Sequence, residues 1–394
     1  MNSKITLIKL FALALAVNAT AQSNMDSVLS SVLKNNKTIQ ANTQYWEAQK
    51  LHYKTGLSLP NPTAEFDYLI GSPATAGIQT EFTISQSFDF PTVYVKKNQL
   101  SKQQTAQTEF QLVAALQDIL LEAKKTCIEL VHRNKLQMQL EQRKQNTERL
   151  LSDFKTRLEK GDGNILDVNK AQLQLIEIKK EYQDNISAIS QLNIKLTKLN
   201  GGIAISFTDP IYPALPYIPP FEQLEPEYES NDPHRKILEQ EKIISQKQIE
   251  LSKSLWLPKI EAGYHYQGIL GQTFNGVHTG ITIPLWENRN TVKAGQSTLL
   301  FAELKLENHL NEHYHEIKQL YDKYTNLKIT LEEYQTAFST LNNIPLLNKA
   351  LALGQISTIE YFMEANYYVN AYNNFLQTEM EFNIVIAELF KYQL

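Results

Sequence analysis

One cysteine in 394 residues, Cys127, leaves no partner for an internal disulfide, and its place in an apolar stripe marks it as a small buried hydrophobe rather than a redox group. Glycine is scarce, with 14 residues, while Gln, Asn, Lys, Glu and Leu crowd the long segments, as in extended helices with one wet face. The apolar run Leu10–Val17 is too short for a membrane-spanning helix, which needs about 20 residues. Concentrated positive charge is missing as well: the net charge is −4 and no basic stripe exists to neutralise phosphates, which excludes a nucleic-acid partner.

What is present begins with an address. Lys4 and Lys9 flank a polar start, the apolar run follows, and Ala19-Thr20-Ala21 supplies small residues before Gln22, so residues 1–21 are expected to be a secretory signal peptide. No cysteine follows that cleavage site to carry a lipid.

The remainder repeats itself. A helical pattern from Asp26 toward Gly56 ends at SLPNPTAEFDYLIG (58–71), where Pro60 and Pro62 forbid helix and alternation begins. Ala64, Phe66, Tyr68 and Ile70 alternate with Glu65, Asp67 and Leu69; after GSPATAG (71–77), Ile78, Thr80, Phe82, Ile84, Gln86 and Phe88 alternate back, predicting a β-hairpin over 62–90. In the second half NDPHRKIL (231–238) opens a helix and LWLPKIEAGYHYQG (255–268) ends it at Pro258. Ile260, Ala262, Tyr264 and Tyr266 lead to a Gly-Asn tip, and Val277, Thr279, Ile281 and Ile283 lead back, predicting a hairpin over 258–285. Pro60 matches Pro258, Ala64 matches Ala262 and Tyr68 matches Tyr266 at one offset. The expected division is repeat 1 over 22–202, a proline-rich linker over 203–222 and repeat 2 over 223–394.

Each hairpin is expected to lead into a long helical pair. Between Thr92 and Lys160 there is neither proline nor glycine, enough for a rod of roughly 100 Å at the helical rise. Its stripe runs Val113, Leu116, Leu120, Ala123, Cys127, Leu130. The returning stripe from Val168 through Ala171, Leu175, Ile178, Tyr182, Asn185, Ile189, Leu192 and Leu196 to Leu199 has coiled-coil spacing with one polar position, Asn185. The last helix carries its own stripe from Tyr361 through Ala365, Tyr368, Tyr372 and Phe375 to Leu389.

Strands of about 10 residues are long enough to cross an outer membrane when tilted. Phe66, Tyr68, Phe82, Tyr264 and Tyr266 are expected to face lipid, with Glu65, Asp67, Glu261 and His265 on the other face. Strand edges left open in lipid cost several kcal/mol per unpaired group, so such a sheet must close, and four strands per chain require further copies. Trp256 and Trp286 fall at one end of the second hairpin, where an interfacial girdle would need them.

In their duplicated order, LPNP (59–62), LPKI (257–260), ITIPLWENR (281–289) and the paired turns GDGNILDVNKAQL (161–173) and GQISTIEYFMEAN (354–366) resemble the TolC-type outer-membrane efflux proteins, over essentially all of the chain beyond the leader. The resemblance implies a mainly α chain with a transmembrane β part, assembled as a homotrimer with a 12-stranded barrel and a periplasmic α-barrel. It also implies docking to a periplasmic adaptor (membrane fusion) protein and an inner-membrane pump, passive conduction from periplasm to exterior, no cofactor and no enzymatic activity. The short chain ending at Leu394 points toward the heavy-metal-efflux branch. The alternative is a periplasmic coiled-coil adaptor without a pore, which would lack the aromatic-rimmed hairpins.

Three acids follow the turns: Asp167 in the first repeat, Glu360 and Glu364 in the second. Under threefold symmetry each becomes a ring able to select cations and gate by repulsion, although acids there also favour the helix dipole. From glycine to alanine the first turn spans ten residues and the second eleven, so Glu360 or Tyr361 could hold the acidic position. Gly161, Asp162, Gly163, Gly354 and Gln355 are expected at exposed tips available to an adaptor. HLNEHYHE (309–316) contains the inverted zinc-peptidase pattern His309-x-x-Glu312-His313, but lacks a third ligand in sequence, and a solvated histidine cluster with no metal is expected.

Overall fold

The computed structural model describes residues 24–341 and 343–394; the signal-peptide reading of 1–21 lies outside them. In order, the elements are α1 (Asn24–Asn35), α2 (Lys37–His52), β1 (Thr63–Ile70), β2 (Ile78–Phe88), α3 (Pro91–Glu159), α4 (Ile165–Leu199), α5 (Phe221–Asn231), α6 (Pro233–Ser254), β3 (Lys259–Ile269), β4 (Gln272–Thr282), α7 (Thr291–Thr340), α8 (Asn343–Ala352) and α9 (Thr358–Leu389). Among the described residues no helix is long and apolar enough to cross a membrane.

Two compact units emerge, and neither coincides with a sequence repeat. One gathers the described residues up to Thr38, Gln117–Phe221 and Gln319–Leu394; the other gathers Ile39–Leu116 and Glu222–Lys318. Each repeat therefore contributes to both.

The second unit holds the sheet. Its strands form one antiparallel meander in the order β1-β2-β3-β4, so the two expected hairpins are joined through β2 and β3. Register follows the alternation: Phe66, Phe82, Tyr266 and Asn275 form one cross-strand row, and Ala64, Ile84, Tyr264 and Val277 the next. The second hairpin turns at Leu270-Gly271, both with positive φ (50° and 78°), as a two-residue turn matching strand twist requires. The tip expected between Tyr266 and Val277 is thereby narrowed to these two residues, and Asn275-Gly276 lies inside β4 opposite Tyr266 and His265. Beside the sheet, Val93, Leu100 and Leu251 pack the start of α3 against the end of α6.

The first unit is helical. It takes α3 from Gln117 on; that helix opens at Pro91, where a missing N–H is harmless, and runs unbroken for 69 residues. Its core joins Met25, Val28 and Val32 of α1 to Leu120, Ala123, Cys127, Ile128, Leu130 and Val131 of α3, with Leu196 and Leu199 of α4 and Ala387 of α9. Val113 departs from the expected stripe and is exposed.

Three helical expectations change. The first helix is split at Asn36, whose side chain instead donates to Leu199 O at 2.7 Å. A helix, α5, starts inside the expected linker at Phe221 and tolerates Pro226. The rising arm of the second helical hairpin is broken between Thr340 and Asn343, because Pro345 offers no N–H for the bond that would continue α7, and is accommodated only in the first turn of α8.

Candidate functional site

The two turns are built alike. Gly161 N donates to Leu158 O (3.0 Å) and Asp162 N to Arg157 O (3.0 Å); Gly354 N donates to Leu351 O (3.1 Å) and Gln355 N to Ala350 O (2.9 Å). This paired closure needs a left-handed residue, and both glycines have φ near 70–80° (78° and 69°). Gly163 lies against the end of α3, where a Cβ would meet Leu158 N at 2.5 Å. All five turn residues named above are exposed.

The following helices begin on equivalent caps. Asn164 Oδ1 accepts from Leu166 N at 2.9 Å, while Ser357 and Glu360 satisfy each other's backbone N–H groups, at 3.2 Å and 2.7 Å. Counting from the caps, Asp167 and Glu360 occupy the same third helical position. Tyr361 is instead the counterpart of Val168: both are buried, and the Tyr361 hydroxyl donates to Asn348 Oδ1 at 2.8 Å. The backbone N–H and then the hydroxyl of Ser357 hold the Glu360 carboxyl below the usual carboxylate range. Glu364, one turn on, is exposed. Both turns share one apolar cluster of Phe154, Val168, Ala171, Leu351 and Tyr361, so they lie at one end of this unit.

The sheet has two unlike faces. The register puts Glu65, Thr83 and His265 in one row and Asp67, Glu81 and Gln267 in the next, all opposite in phase to the aromatic rows. Thr83 Oγ1 and His265 Nδ1 share a hydrogen bond at 2.8 Å, Gln267 Nε2 donates to Glu81 Oε1 at 3.2 Å, and Gln79 also donates to Glu81. Phe66, Tyr68, Phe82, Tyr264, Val277 and Ile281 are exposed on the other face. Trp256 and Trp286 are also exposed, at the same end of the β3–β4 hairpin because Lys259 pairs with Thr282.

The histidines of HLNEHYHE are not solvated as expected. His309 and His313, one turn apart on α7, stack with ring centroids 5.0 Å apart, and the edge of Tyr228 meets His313. His309 Nε2 is 3.1 Å from Asp232 Oδ2, and His313 Nδ1 contacts Glu229 Oε1. Asp232 caps α6, its Oδ1 accepting from His234 N (3.1 Å) and Oδ2 from Arg235 N (2.8 Å). Burial pushes the Asp232 carboxyl up, but the His309 contact and the two N–H donors outweigh it and bring it to about 2. Burial pushes His313 down, yet Glu229 reverses that and leaves it above its ordinary value. Glu312, the motif's acid, is exposed and plays no part. Sequence reasoning missed Glu229 and Asp232 because they stand 84 and 77 residues from the histidines they touch.

No family model matches the chain, and no curated protein sequence does. Solved structures match it over nearly its full length. CusC, whose structures concern folding and transmembrane channel formation, is 13% identical, with a TM-score of 0.78 over 96% of this chain and 95% of that one. A membrane protein from Pseudomonas aeruginosa is 14% identical, with a TM-score of 0.79 over 94% of this chain and 92% of the other. The outer-membrane channel CmeC of Campylobacter jejuni is 14% identical, with a TM-score of 0.72 over 94% and 85%. The duplicated order of hairpin and helical turn and this whole-length likeness together give the chain the fold of the transmembrane channel CusC and the outer-membrane channel CmeC.

Proposed function

We propose that the chain is the outer-membrane exit duct of a tripartite efflux pump, conducting substrates passively from periplasm to exterior. The observation that carries this is the sheet: among the described residues, four strands with one apolar, aromatic face, one polar face, and β1 and β4 each paired on one side only. Such a sheet is unstable in lipid until its edges close, and three copies of four strands supply the twelve of a barrel with a wet lumen. Glu65, Asp67, Glu81, Glu261 and His265 would line that lumen, Phe66, Tyr68, Phe82, Tyr264 and Tyr266 would meet lipid, and Trp256 and Trp286 would sit in the interfacial girdle. A pore-free periplasmic adaptor gives the aromatic face no occupant.

In this reading the turns around Gly161 and Gly354 meet the periplasmic adaptor, which links the trimer to an inner-membrane pump, and Asp167, Glu360 and Glu364 form the acidic constriction. No step of the transport is chemical. The test is mass in mild detergent: a trimer is expected, and a monomer or dimer with intact β content overturns the proposal. For the constriction, Glu360→Gln with Glu364→Gln keeps an acceptor in the capping box and should weaken cation selectivity in planar-bilayer recordings without changing trimer mass. Unchanged selectivity would reduce these residues to helix-start acids.

A further inference from the structure

We propose that Asp232, His309 and His313, joined by Glu229, form a binding site for a divalent first-row transition ion of the zinc class, held by each subunit as a resident ion rather than as cargo. One imidazole nitrogen from each histidine and a carboxylate oxygen of Asp232 all lie within 4.8 Å of one another. In a tetrahedral zinc site, ligand distances of about 2.0–2.1 Å put neighbouring donor atoms a little over 3 Å apart. His309 Nε2 and Asp232 Oδ2 already stand at 3.1 Å, so the remaining closure falls on the His313 ring, which stacks on His309 and is held through Nδ1 by Glu229.

The donor set excludes other classes. Imidazole nitrogen with carboxylate suits zinc, copper, nickel or cobalt, whereas calcium and magnesium call for oxygen alone. Two carboxylates and two neutral imidazoles carry a charge that a divalent ion cancels in a site where Asp232 and Glu229 are only 4% and 5% exposed. Glu229 Oε2 is buried without a hydrogen bond among the described residues, with the Arg235 guanidinium at 3.7 Å and itself engaged by Glu239 at 2.9 Å. Through its other oxygen, Oε1, Glu229 holds His313 and serves the site as an outer partner. Outer support is also in place, because the cap bonds from His234 N and Arg235 N orient the Asp232 carboxylate before any ion arrives.

An ion here would clasp the α5–α6 junction onto α7, all within one compact unit. The proposal does not depend on the transport reading, since it concerns a site inside one chain. The test uses tag-free, full-length protein in detergent, stripped with chelator and dialysed against micromolar zinc chloride. One zinc per chain is expected, raising the thermal unfolding temperature, and cobalt substituted for it should give the visible bands of a four-coordinate site. His309→Ala with His313→Ala should weaken zinc binding by roughly 100-fold or more. His315→Ala, an exposed neighbour, should leave binding unchanged. Should the double variant fail to assemble, Glu229→Gln serves in its place, with weakened binding again expected. A parent that takes up no zinc, or a variant that binds as the parent does, overturns the proposal, and neither result bears on whether the protein is a trimeric duct.

Discussion

The two helical hairpins share a turn and differ in nearly everything between. In the first, α3 runs unbroken and meets α4 along aliphatic layers in which Val168, Ala171, Ile178 and Leu196 are buried. Its polar layer is Asn185, buried, donating to Gln137 Oε1 (2.8 Å) and Arg133 O (3.0 Å). In the second, the rising arm is broken before Pro345, and α7 meets α9 through rings: Phe338 lies 5.4 Å from Tyr372, 5.6 Å from Tyr368 and 5.5 Å from Phe375. A continuous helix presents every layer in register, so small aliphatic knobs suffice. Where the helix is interrupted, large rings reach across and hold the pair through edge-to-face contacts at centroid distances of about 4.5–7 Å.

The largest effect should come from the aliphatic seam. Leu196 is fully buried, and Leu196→Ala should cost about 2–5 kcal/mol in chemical denaturation, because a tight layer collapses poorly around a cavity. A loss no greater than that of a surface substitution would mean the seam is not close-packed. In the ring-built seam, Phe338→Leu keeps most of the apolar area and should cost only about 0.5–1.5 kcal/mol for the lost aromatic geometry. An equal or larger loss than Leu196→Ala would erase the distinction between the seams.

Helix caps sharpen the same comparison at smaller scale. Ser357→Ala removes one half of a reciprocal box and Asn164→Ala a single bond, so each should cost about 1 kcal/mol, with Ser357→Ala the more damaging. Helix-end hydrogen exchange in α9 and α4 reads the two separately. The smallest effect is one of pH at His132, where α3 meets α9 through the contact of His132 Nδ1 with Leu376 O at 3.2 Å. Burial first, then the charge of Arg133, holds this imidazole below its ordinary value of 6.5. As pH falls, the unfolded chain takes up the proton before the folded one, so this stability is complete above pH 6.5 and is lost as pH drops toward the depressed folded value. Denaturation midpoints of His132→Asn should therefore fall less than those of the parent over that window, and parallel curves would contradict this.

Much of the architecture was legible in residue order. Alternation placed the aromatic rows of Phe66 and Tyr264 on one face, and the proline-free stretch after Thr92 marked the long helix. The second hairpin's turn was bounded only between Tyr266 and Val277, because Gly271 and Asn275-Gly276 both carry local turn signals, and strand pairing chose Leu270-Gly271. Helix α5 was missed because a proline-rich approach and Pro226 both argue against helix locally. At the turns, glycine position alone left the acid ambiguous, and only cap geometry equated Asp167 with Glu360.

By itself, then, the sequence determined the elements, their duplication and the two-faced character of the strands, because side-chain period, proline and glycine act over a few residues. Tertiary structure alone decided the partners. The pairing of β2 with β3 joins residues more than 170 positions apart, as Phe88 with Ile260, and Glu229 and Asp232 reach His313 and His309 across 84 and 77 residues. The spacing within HLNEHYHE announced two histidines on one helix face, but which carboxylates desolvate against them depends on how α5 and α6 pack on α7. Such encounters are set by the burial of whole helix faces, and no local pattern records them.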